Sequence, residues 1–202
     1  MSQENVKITR ATFDRKPRAP IPGAAMGRHL DERLALRAPR LYRRLVKLVL
    51  SLPPGSPVRR RLVKWLMARG WEAQSRQDDE LLLVIGYDPN VELNMIGDKF
   101  RVLGFAERYH GHEGYREFLR LWRAEWSDVR YKPEALIDFG DRLVMRVTTT
   151  ARGASSGAEV TLTAGYALWT ADGAVVRQDF YWDWSACVEA LGLSDQDAHA
   201  DS

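Results

Sequence analysis

Residues 158–184 read AEVTLTAGYALWTADGAVVRQDFYWDW, and this stretch decides the fold. It contains two runs rich in β-branched and aromatic residues, which favour strands. Ala171-Asp172-Gly173 separates the runs, and Asp-Gly is a strong signal for a tight turn between antiparallel strands. Two further strand-like runs, YKPEALIDFG (131–140) and RLVMRVTTTARG (142–153), come before it. The last third of the chain is therefore predicted to form an antiparallel sheet.

The first part of the chain has a helical pattern instead. Over residues 39–52 the apolar residues recur at spacings of three and four, which predicts an amphipathic helix. Ser56 and Pro57 are typical of a helix start, and a long helix is expected from there to about residue 77. VELNMI (91–96) is a short strand candidate, and a second helical stripe begins at residue 113. Helices followed by antiparallel strands predict an α+β fold.

Charge and composition divide the chain into four parts. Residues 1–70 contain 17 basic and 4 acidic residues, whereas residues 71–202 contain 13 and 23, so the net charge of +3 combines +13 with −10. Residues 1–27 are rich in Pro and Gly and lack an apolar period, which predicts a disordered or extended tail. A basic helical extension (28–55), an α+β domain (56–193) and a polar tail (194–202) follow.

The basic extension can meet nucleic acid or anionic lipid, or it can dock on the acidic part of the same protein. Docking is favoured because its helix has an apolar stripe that needs a partner. Tyr42 is the only aromatic residue between residues 28 and 60, so base stacking would have little support. Nucleic acid and membranes are therefore not expected as partners. The stripe predicted to dock consists of Leu41, Leu45, Leu48, Val49 and Leu52.

The cellular location follows from two features of the sequence. Cys187 is the only cysteine, so no internal disulfide can form. The sequence has no apolar run long enough for a signal peptide or a membrane span. A soluble, cytoplasmic protein is expected.

Four stretches together resemble one family. They are RQDDELLLVIGYDPNVEL (76–93), YHGHEGYREFLRLW (109–122), LIDFGDRLVMRV (136–147) and LWTADGAVVRQDFYWDWSACVEALGL (168–193). Their order and spacing resemble the SnoaL-like branch of the nuclear transport factor 2-like superfamily, which includes ketosteroid isomerases and polyketide cyclases. The resemblance covers roughly residues 56–193 and implies a cone-shaped, curved antiparallel sheet wrapped over helices, a cystatin-like α+β roll. The helical extension resembles one found in some bacterial members.

The resemblance also allows a test for isomerase chemistry. Ketosteroid isomerases use an Asp base, with a Tyr and a protonated Asp as oxyanion donors. The resemblance places Leu93 at the position of the base, Gly165 at that of the oxyanion Asp, and Gly70 at that of the Tyr. Neither leucine nor glycine can exchange a proton. Isomerase activity is therefore predicted to be absent.

Polyketide cyclases of this branch also need a carboxylate or a histidine in the pocket. His110 and His112, at the start of a helix, and Asp138, before a hairpin turn, are the nearest candidates, although a structural role at the helix start and in the turn is favoured over catalysis. His29 and His199 lie in the extension and the tail, so the histidines do not form a ligand set for zinc. No metal and no cofactor are predicted.

An aromatic pocket is the remaining candidate site. The resemblance implies that two strand faces point inward. One is a face of the last strand, and the other is the face of the preceding strand that carries Gly165. Small residues opposite aromatic ones, with a few polar groups, suit a hydrophobic ring ligand, whereas a filled core fits the same pattern. The predicted pocket residues are Trp71, Leu93, Trp122, Trp126, Thr163, Gly165, Trp169, Gln178, Phe180 and Trp182.

The sequence indicates two classes of function, and a third class has less support. The first is a protein that binds a small hydrophobic ring compound, and the second is a non-catalytic module that dimerises through its sheet. The third is a cyclase-like or isomerase-like enzyme. A homodimer is expected because one face of the strand before the last would otherwise expose a broad apolar patch. That face carries Val160, Leu162, Tyr166 and Leu168.

Overall fold

The computed structural model of the protein describes residues 9–12 and 27–193. Its core is one seven-stranded sheet in the order β1-β4-β5-β6-β7-β2-β3. The strands are β1 (Thr9–Thr12), β2 (Tyr87–Ile96), β3 (Arg108–His110), β4 (Trp126–Asp138), β5 (Arg142–Gly153), β6 (Glu159–Ala171) and β7 (Ala174–Tyr181). All neighbours are antiparallel except β2 and β7, which are parallel. The fold belongs to the predicted α+β class with a curved sheet. The parallel pairing of β2 with β7 departs from the predicted antiparallel arrangement.

Seven helices occur in the part of the chain that the structure describes. They are α1 (Leu30–Arg37), α2 (Pro39–Leu50), α3 (Pro57–Ser75), α4 (Asp79–Gly86), α5 (Asp98–Val102), α6 (Gly111–Glu125) and α7 (Trp184–Ala190). The start of α3 is capped as predicted, because the Ser56 hydroxyl accepts a hydrogen bond from the Arg59 amide. None of these helices is both long enough and apolar enough to cross a bilayer.

Residues 1–27, predicted as a disordered or extended tail, include β1. This strand pairs with β4, with Thr9 opposite Asp138 and Thr12 opposite Ala135. The rest of that tail up to residue 26, and the polar tail from residue 194, lie outside the described residues.

Two apolar clusters lie on opposite faces of the sheet. The main cluster fills the inner face, defined here as the face against α3, α4 and α6, and it includes Phe118, Tyr166 and Phe180. The smaller cluster lies on the outer face beneath α7 and includes Val144, Ala167 and Cys187. The inner face is therefore the face that can enclose a pocket.

The prediction for the faces of β6 is wrong, and a β-bulge is the reason. A plain two-residue hairpin would place Gly165 and Ala167 opposite Phe180 and Gln178. Instead, Thr170 pairs with Val175 and Trp169 pairs with Arg177, so one extra residue lies in β7. Because a shift by one residue moves every side chain to the other face, Tyr166 and Leu168 point inward and Gly165 points outward.

The outward position of Gly165 has its own structural reason. A Cβ atom at Gly165 would lie 2.7 Å from the Cys187 sulfur and closer still to its Cβ atom. The missing side chain therefore lets α7 pack on the outer face of the sheet. It does not create space inside the cone.

The predicted homodimer interface loses its basis for the same reason. Tyr166 and Leu168 are buried, and Val160 and Leu162 pack against the main cluster. The outer face of β5 and β6 instead carries threonines, with Thr148 and Thr163 3.3 Å apart. The expected apolar patch is therefore interior in the single chain.

The basic extension docks on the domain, as its sequence predicts, but through a different face of α2. Tyr42, Val49 and Leu50 pack against the main cluster, whereas Leu45 and Leu48 are more than half exposed. Ion pairs add to this contact, since Arg28 pairs with Asp78 at 2.7 Å and Lys47 pairs with Asp172 at 2.7 Å. Opposite charges of the two halves therefore meet within one molecule.

Candidate functional site

A cavity of about 100 Å³ lies between the inner face of the sheet and helices α2, α3, α4 and α6. Aliphatic and aromatic side chains form most of its wall, and no Asp, Glu, Lys, Arg or His belongs to its described lining. The extension helix α2 contributes Tyr42, Val46 and Leu50, so residues outside the α+β domain (56–193) close one side. The polar side chains of the wall are Tyr42, Gln74, Tyr87, Tyr115, Trp122, Tyr131, Tyr166, Thr170 and Gln178.

A hydrogen-bonded chain of three side chains forms the main polar part of the wall. The Tyr115 hydroxyl donates to the Tyr87 hydroxyl at 2.9 Å, and the Tyr87 hydroxyl donates to Gln178 Oε1 at 2.6 Å. Gln178 is only 2% exposed. Within the part of the chain that the structure describes, its Nε2 makes no hydrogen bond. The Gln178 side chain lines the cavity, so Nε2 can donate to a molecule bound there.

The two tyrosines of this hydrogen-bonded group, Tyr87 and Tyr115, are neutral at physiological pH. Burial raises the pKa of Tyr87 to about 12, because a phenolate loses its hydration there. Burial also raises the pKa of Tyr115 well above its ordinary value, and the neighbouring Tyr87 adds to the effect. Both hydroxyls can therefore donate and accept hydrogen bonds, but neither can act as a base near neutral pH.

A second polar point lies on the wall at Trp122 and Tyr131. Gln74 Nε2 donates to the Tyr131 hydroxyl at 3.4 Å, and burial raises the pKa of Tyr131. The indole N–H of Trp122 is buried and makes no hydrogen bond of good geometry to the described residues. The wall thus has a second polar place, apart from the chain that ends at Gln178.

The structure brings four of the ten predicted pocket residues together. Trp71, Trp122, Gln178 and Phe180 line the cavity. Leu93, Trp126 and Trp182 lie in or against the main cluster without lining the cavity. Thr163, Gly165 and Trp169 were predicted on the wrong face, because the bulge in β7 turns them outward.

None of the predicted acid–base candidates reaches the cavity. His110 is exposed just before α6, and His112 Nε2 lies 3.2 Å from the backbone oxygen of Tyr87. Asp138 is 2% exposed, and both of its carboxylate oxygens bind Arg59, at 2.7 and 2.8 Å. The Gly140 amide also donates to Asp138 at 2.9 Å. The histidines therefore belong to the start of α6, and Asp138 belongs to a buried ion pair and a turn.

The isomerase positions carry no acid–base group in the structure either. Leu93 is fully buried in β2, next to Asn94, whose amide donates to Asp179 at 2.8 Å. Gly165 faces α7, and Gly70 lines the cavity with nothing within 4 Å of where its Cβ atom would lie. The carboxylates that isomerase chemistry needs are thus missing from these places.

One described group of residues, His29, Glu32 and Glu72, lies close enough together to suggest a metal site. However, Glu32 Oε1 accepts from Arg76 at 2.7 Å, and its Oε2 accepts from the His29 amide at 2.7 Å. Glu72 is bound to Arg69 at 2.7 Å. Because arginines and an amide already satisfy these carboxylates, the group is a helix-docking network.

Sequence reasoning missed the residues that make the cavity polar. No site residue is predicted from the sequence in GYDP (86–89), which contains Tyr87, and Tyr115 is not singled out in the helical stripe that begins at residue 113. The available signal was Gln178, because a glutamine on the inward face of a strand needs a buried partner. Tyr42 and Val46 were missed because the predicted stripe, apart from Val49, lies on a neighbouring side of α2.

The comparisons with solved structures place the chain in a known fold. TerC, co-crystallised with polyporic acid, is 24% identical, with a TM-score of 0.53 over 63% of this chain and 95% of that one. A nuclear transport factor 2-like protein of unknown function from Burkholderia pseudomallei K96243 is 21% identical, with a TM-score of 0.55 over 62% and 94%. A nuclear transport factor 2-like protein from Burkholderia xenovorans LB400 is 20% identical, with a TM-score of 0.50 over 62% and 92%. Comparison with curated proteins gave no match.

The family is identified by its sequence model. The model of the SnoaL-like domain matches residues 75–178, which are about half of the chain. The matched residues run from the end of α3 to Gln178 in β7, so they include most of the cavity wall. Both the matched sequence and the fold agree with the resemblance drawn from the four stretches, and the chain belongs to the SnoaL-like domain family.

Proposed function

We propose that this SnoaL-like protein binds a small hydrophobic ligand with one ring and one hydrogen-bond acceptor, such as a ketone oxygen. The size of the cavity supports a single ring. It measures about 100 Å³, and an engineered apolar cavity of about 150 Å³ holds benzene. Aromatic and aliphatic side chains would surround the ring, and the polar wall would bind the acceptor.

The observation that carries this proposal is the free amide nitrogen of Gln178. Its oxygen is already occupied by the Tyr87 hydroxyl, which is itself held by Tyr115. This chain fixes the orientation of the amide and leaves Nε2 to donate to a ligand. A ligand that accepts from Nε2 would gain one hydrogen bond, which is worth about 1 kcal/mol.

Binding is better supported than acid–base catalysis. An enzyme that moves a proton needs a group whose pKa is near the working pH. The described wall contains no carboxylate and no histidine, and burial keeps the Tyr87 and Tyr115 hydroxyls protonated. A cyclase-like or isomerase-like reaction would therefore lack a base.

The other alternative is a non-catalytic module that dimerises. It has less support because Tyr166 and Leu168 are buried in the single chain, and Val160 and Leu162 are partly buried against its main cluster. Sedimentation velocity at micromolar concentration tests it directly. Among proteins with the same fold, TerC was co-crystallised with polyporic acid, which is consistent with small-molecule binding.

Two compounds of the same shape test the proposal: cyclohexanone, and methylenecyclohexane, in which a CH₂ group replaces the oxygen. Ligand-observed NMR titrations should show that the wild-type protein prefers the ketone by about 5–10-fold, the value of one hydrogen bond. Gln178→Leu should abolish this preference, because leucine keeps the bulk and removes the donor.

Two further variants make the test specific. Gly70→Leu should abolish binding of both compounds, because Gly70 lines the cavity and a Cβ atom there meets no atom within 4 Å. Thr163→Val, on the outer face, should leave both affinities unchanged. The proposal is wrong if Gln178→Leu retains the ketone preference, or if Gly70→Leu binds both compounds as the wild type does.

A further inference from the structure

The side of α2 that faces away from the cavity is unusual for a surface helix. Leu41, Leu45 and Leu48 are 51%, 53% and 64% exposed, although the sequence predicts that they pack. The opposite side of the same helix supplies Val46 and Leu50 to the cavity wall. α2 is therefore apolar on two sides, and only one of them is covered.

The preceding helix continues this pattern. In α1, Leu30 and Leu34 are 82% and 56% exposed, although their neighbours Glu32 and Ala35 are buried. We name the exposed leucines and arginines of α1 and α2 together the basic leucine face. It consists of Leu30, Arg33, Leu34, Arg37, Arg40, Leu41, Arg44, Leu45 and Leu48.

The arginines of this face have no partners among the described residues. Other basic residues of the extension pair with the body of the protein, as Lys47 does with Asp172 at 2.7 Å. In contrast, Arg33, Arg37, Arg40 and Arg44 are exposed and form no side-chain hydrogen bond or ion pair with any residue that the structure describes. Their charge is therefore available to an external anion.

We infer that the basic leucine face binds the surface of an anionic lipid bilayer. A helix that lies on a membrane inserts its apolar residues at the level of the headgroups, and its basic residues bind the phosphates. Arg44 lies between Leu41 and Leu48 in the sequence of α2, and long basic side chains can extend from such positions to the headgroups while their stems remain in the apolar layer. The inference does not depend on the ligand proposed above. It departs from the expectation drawn from the sequence, because the leucines expected to dock on the domain are exposed.

The charge of this face argues against two other binding partners, a second copy of the chain and a folded protein of another kind. A second copy of the chain would bring unpaired arginines against arginines, and like charges that meet across an interface cost free energy. A folded protein partner would normally meet an apolar centre with few charges and a polar rim. Here arginines and leucines alternate along two helices. This arrangement suits lipid headgroups.

The first experiment measures binding of the full-length protein to vesicles by co-sedimentation. We expect binding to vesicles of equal parts phosphatidylcholine and phosphatidylglycerol, and much weaker binding to pure phosphatidylcholine. Raising the salt from about 0.1 M to about 1 M should weaken the binding, because the Debye length falls from about 10 Å to about 3 Å.

Two double variants identify the face. Arg40→Gln with Arg44→Gln should weaken binding about 30-fold, which is the conversion of about 1 kcal/mol for each arginine near an anionic surface. Leu45→Gln with Leu48→Gln should weaken it about tenfold or more, because the inserted apolar area is lost. Since all four side chains are exposed, the variants should melt as the wild type does.

Matched controls lie on other helices. Val102→Gln removes an apolar side chain that is 83% exposed on α5, and Arg116→Gln removes an exposed arginine on α6. Neither should change vesicle binding. These controls separate the basic leucine face from the general effect of removing one exposed apolar side chain or one charge.

A fluorescent label provides a second, independent measurement. The single cysteine, Cys187, is fully buried, and burial raises the pKa of its thiol to about 12, so an introduced cysteine can be labelled selectively. An environment-sensitive dye at Leu45→Cys should brighten on anionic vesicles, whereas the same dye at Val102→Cys should not.

Three results would overturn the inference. One is equal binding to neutral and anionic vesicles, and another is binding that both double variants retain. The third is an absence of vesicle binding together with self-association that Leu45→Gln with Leu48→Gln abolishes. That outcome would assign the face to contact between copies of the chain.

Discussion

Replacing Gly173 with alanine tests whether α2 is seated on the turn between β6 and β7. A Cβ atom at Gly173 would lie 2.8 Å from the amide nitrogen of Lys47 and closer still to the carbonyl oxygen of Arg43. Both are backbone atoms of α2, so no side-chain rotation can relieve the contact. Gly173→Ala should therefore displace the helix that forms one wall of the cavity.

Two terms contribute to the cost of Gly173→Ala. Gly173 has a φ of +80°, and this left-handed conformation costs a residue with a Cβ atom about 1–2 kcal/mol. Overpacking adds about 1–3 kcal/mol in a well-packed contact. The free energy of unfolding should therefore fall by about 2–5 kcal/mol in total.

Gly157→Ala is the matched control, because it isolates the first term. Gly157 has a φ of +67°, and a Cβ atom there would meet nothing within 4 Å. Differential scanning calorimetry should place the melting temperature of Gly173→Ala about 2–12 °C below that of Gly157→Ala, since 1 kcal/mol shifts it by about 2–4 °C at this chain length. A dye that binds apolar surface should also bind Gly173→Ala more strongly.

The opposite result would refute this reasoning. If both variants melt at the same temperature and bind the dye equally, α2 is not held against the turn, and its contribution to the cavity wall is wrong. Stronger dye binding by Gly173→Ala without any change in its melting temperature would mean that α2 moves freely at little cost.

Three further predictions concern the interior. Asp138→Asn should lower the free energy of unfolding in urea by about 3–5 kcal/mol, because it leaves the buried Arg59 without its anion; a change below 1 kcal/mol would contradict this. Gly165→Ala should lower it by about 1–3 kcal/mol, because its Cβ atom would overlap Cys187, and a neutral effect would mean that α7 is not packed there. Burial raises the folded-state pKa of Tyr87 from 10 to about 12. The contribution of Tyr87 to the free energy of unfolding is therefore fully present below pH 10. It is lost as the pH rises towards 12, because the tyrosine of the unfolded chain ionises first. Urea titrations across this range should show that decline, and a flat profile would contradict it.

The local signals in the sequence predicted most of the elements. Ser56 and Pro57 begin α3, the Asp-Gly pair at Gly173 forms the turn after β6, and β5 occupies residues 142–153 as expected. These features depend on a few neighbouring residues, and capping and turn chemistry are local. The α+β class followed from the order of the elements.

The features that failed depend on contacts between distant residues. The extra residue in β7 has no turn or glycine signal of its own, yet it reverses the faces of β6 and moves Gly165 out of the predicted pocket. In α2, Leu41 and Leu45 repeat with the same spacing as Tyr42 and Val46, so periodicity cannot choose between the two sides. The choice depends on the tertiary contacts of the helix with the sheet.

The parallel pairing of β2 with β7 has a consequence for folding. Asn94 and Asp179 bond across this pair although they are 85 residues apart in the chain. Such non-local pairing slows folding, because the entropy of closing a long loop is lost before the contacts form. During synthesis, the apolar faces of α3 and α4 leave the ribosome well before the strand that completes the sheet. A nascent chain that ends before β7 should therefore depend on chaperones. This dependence should end once β7 has left the ribosome.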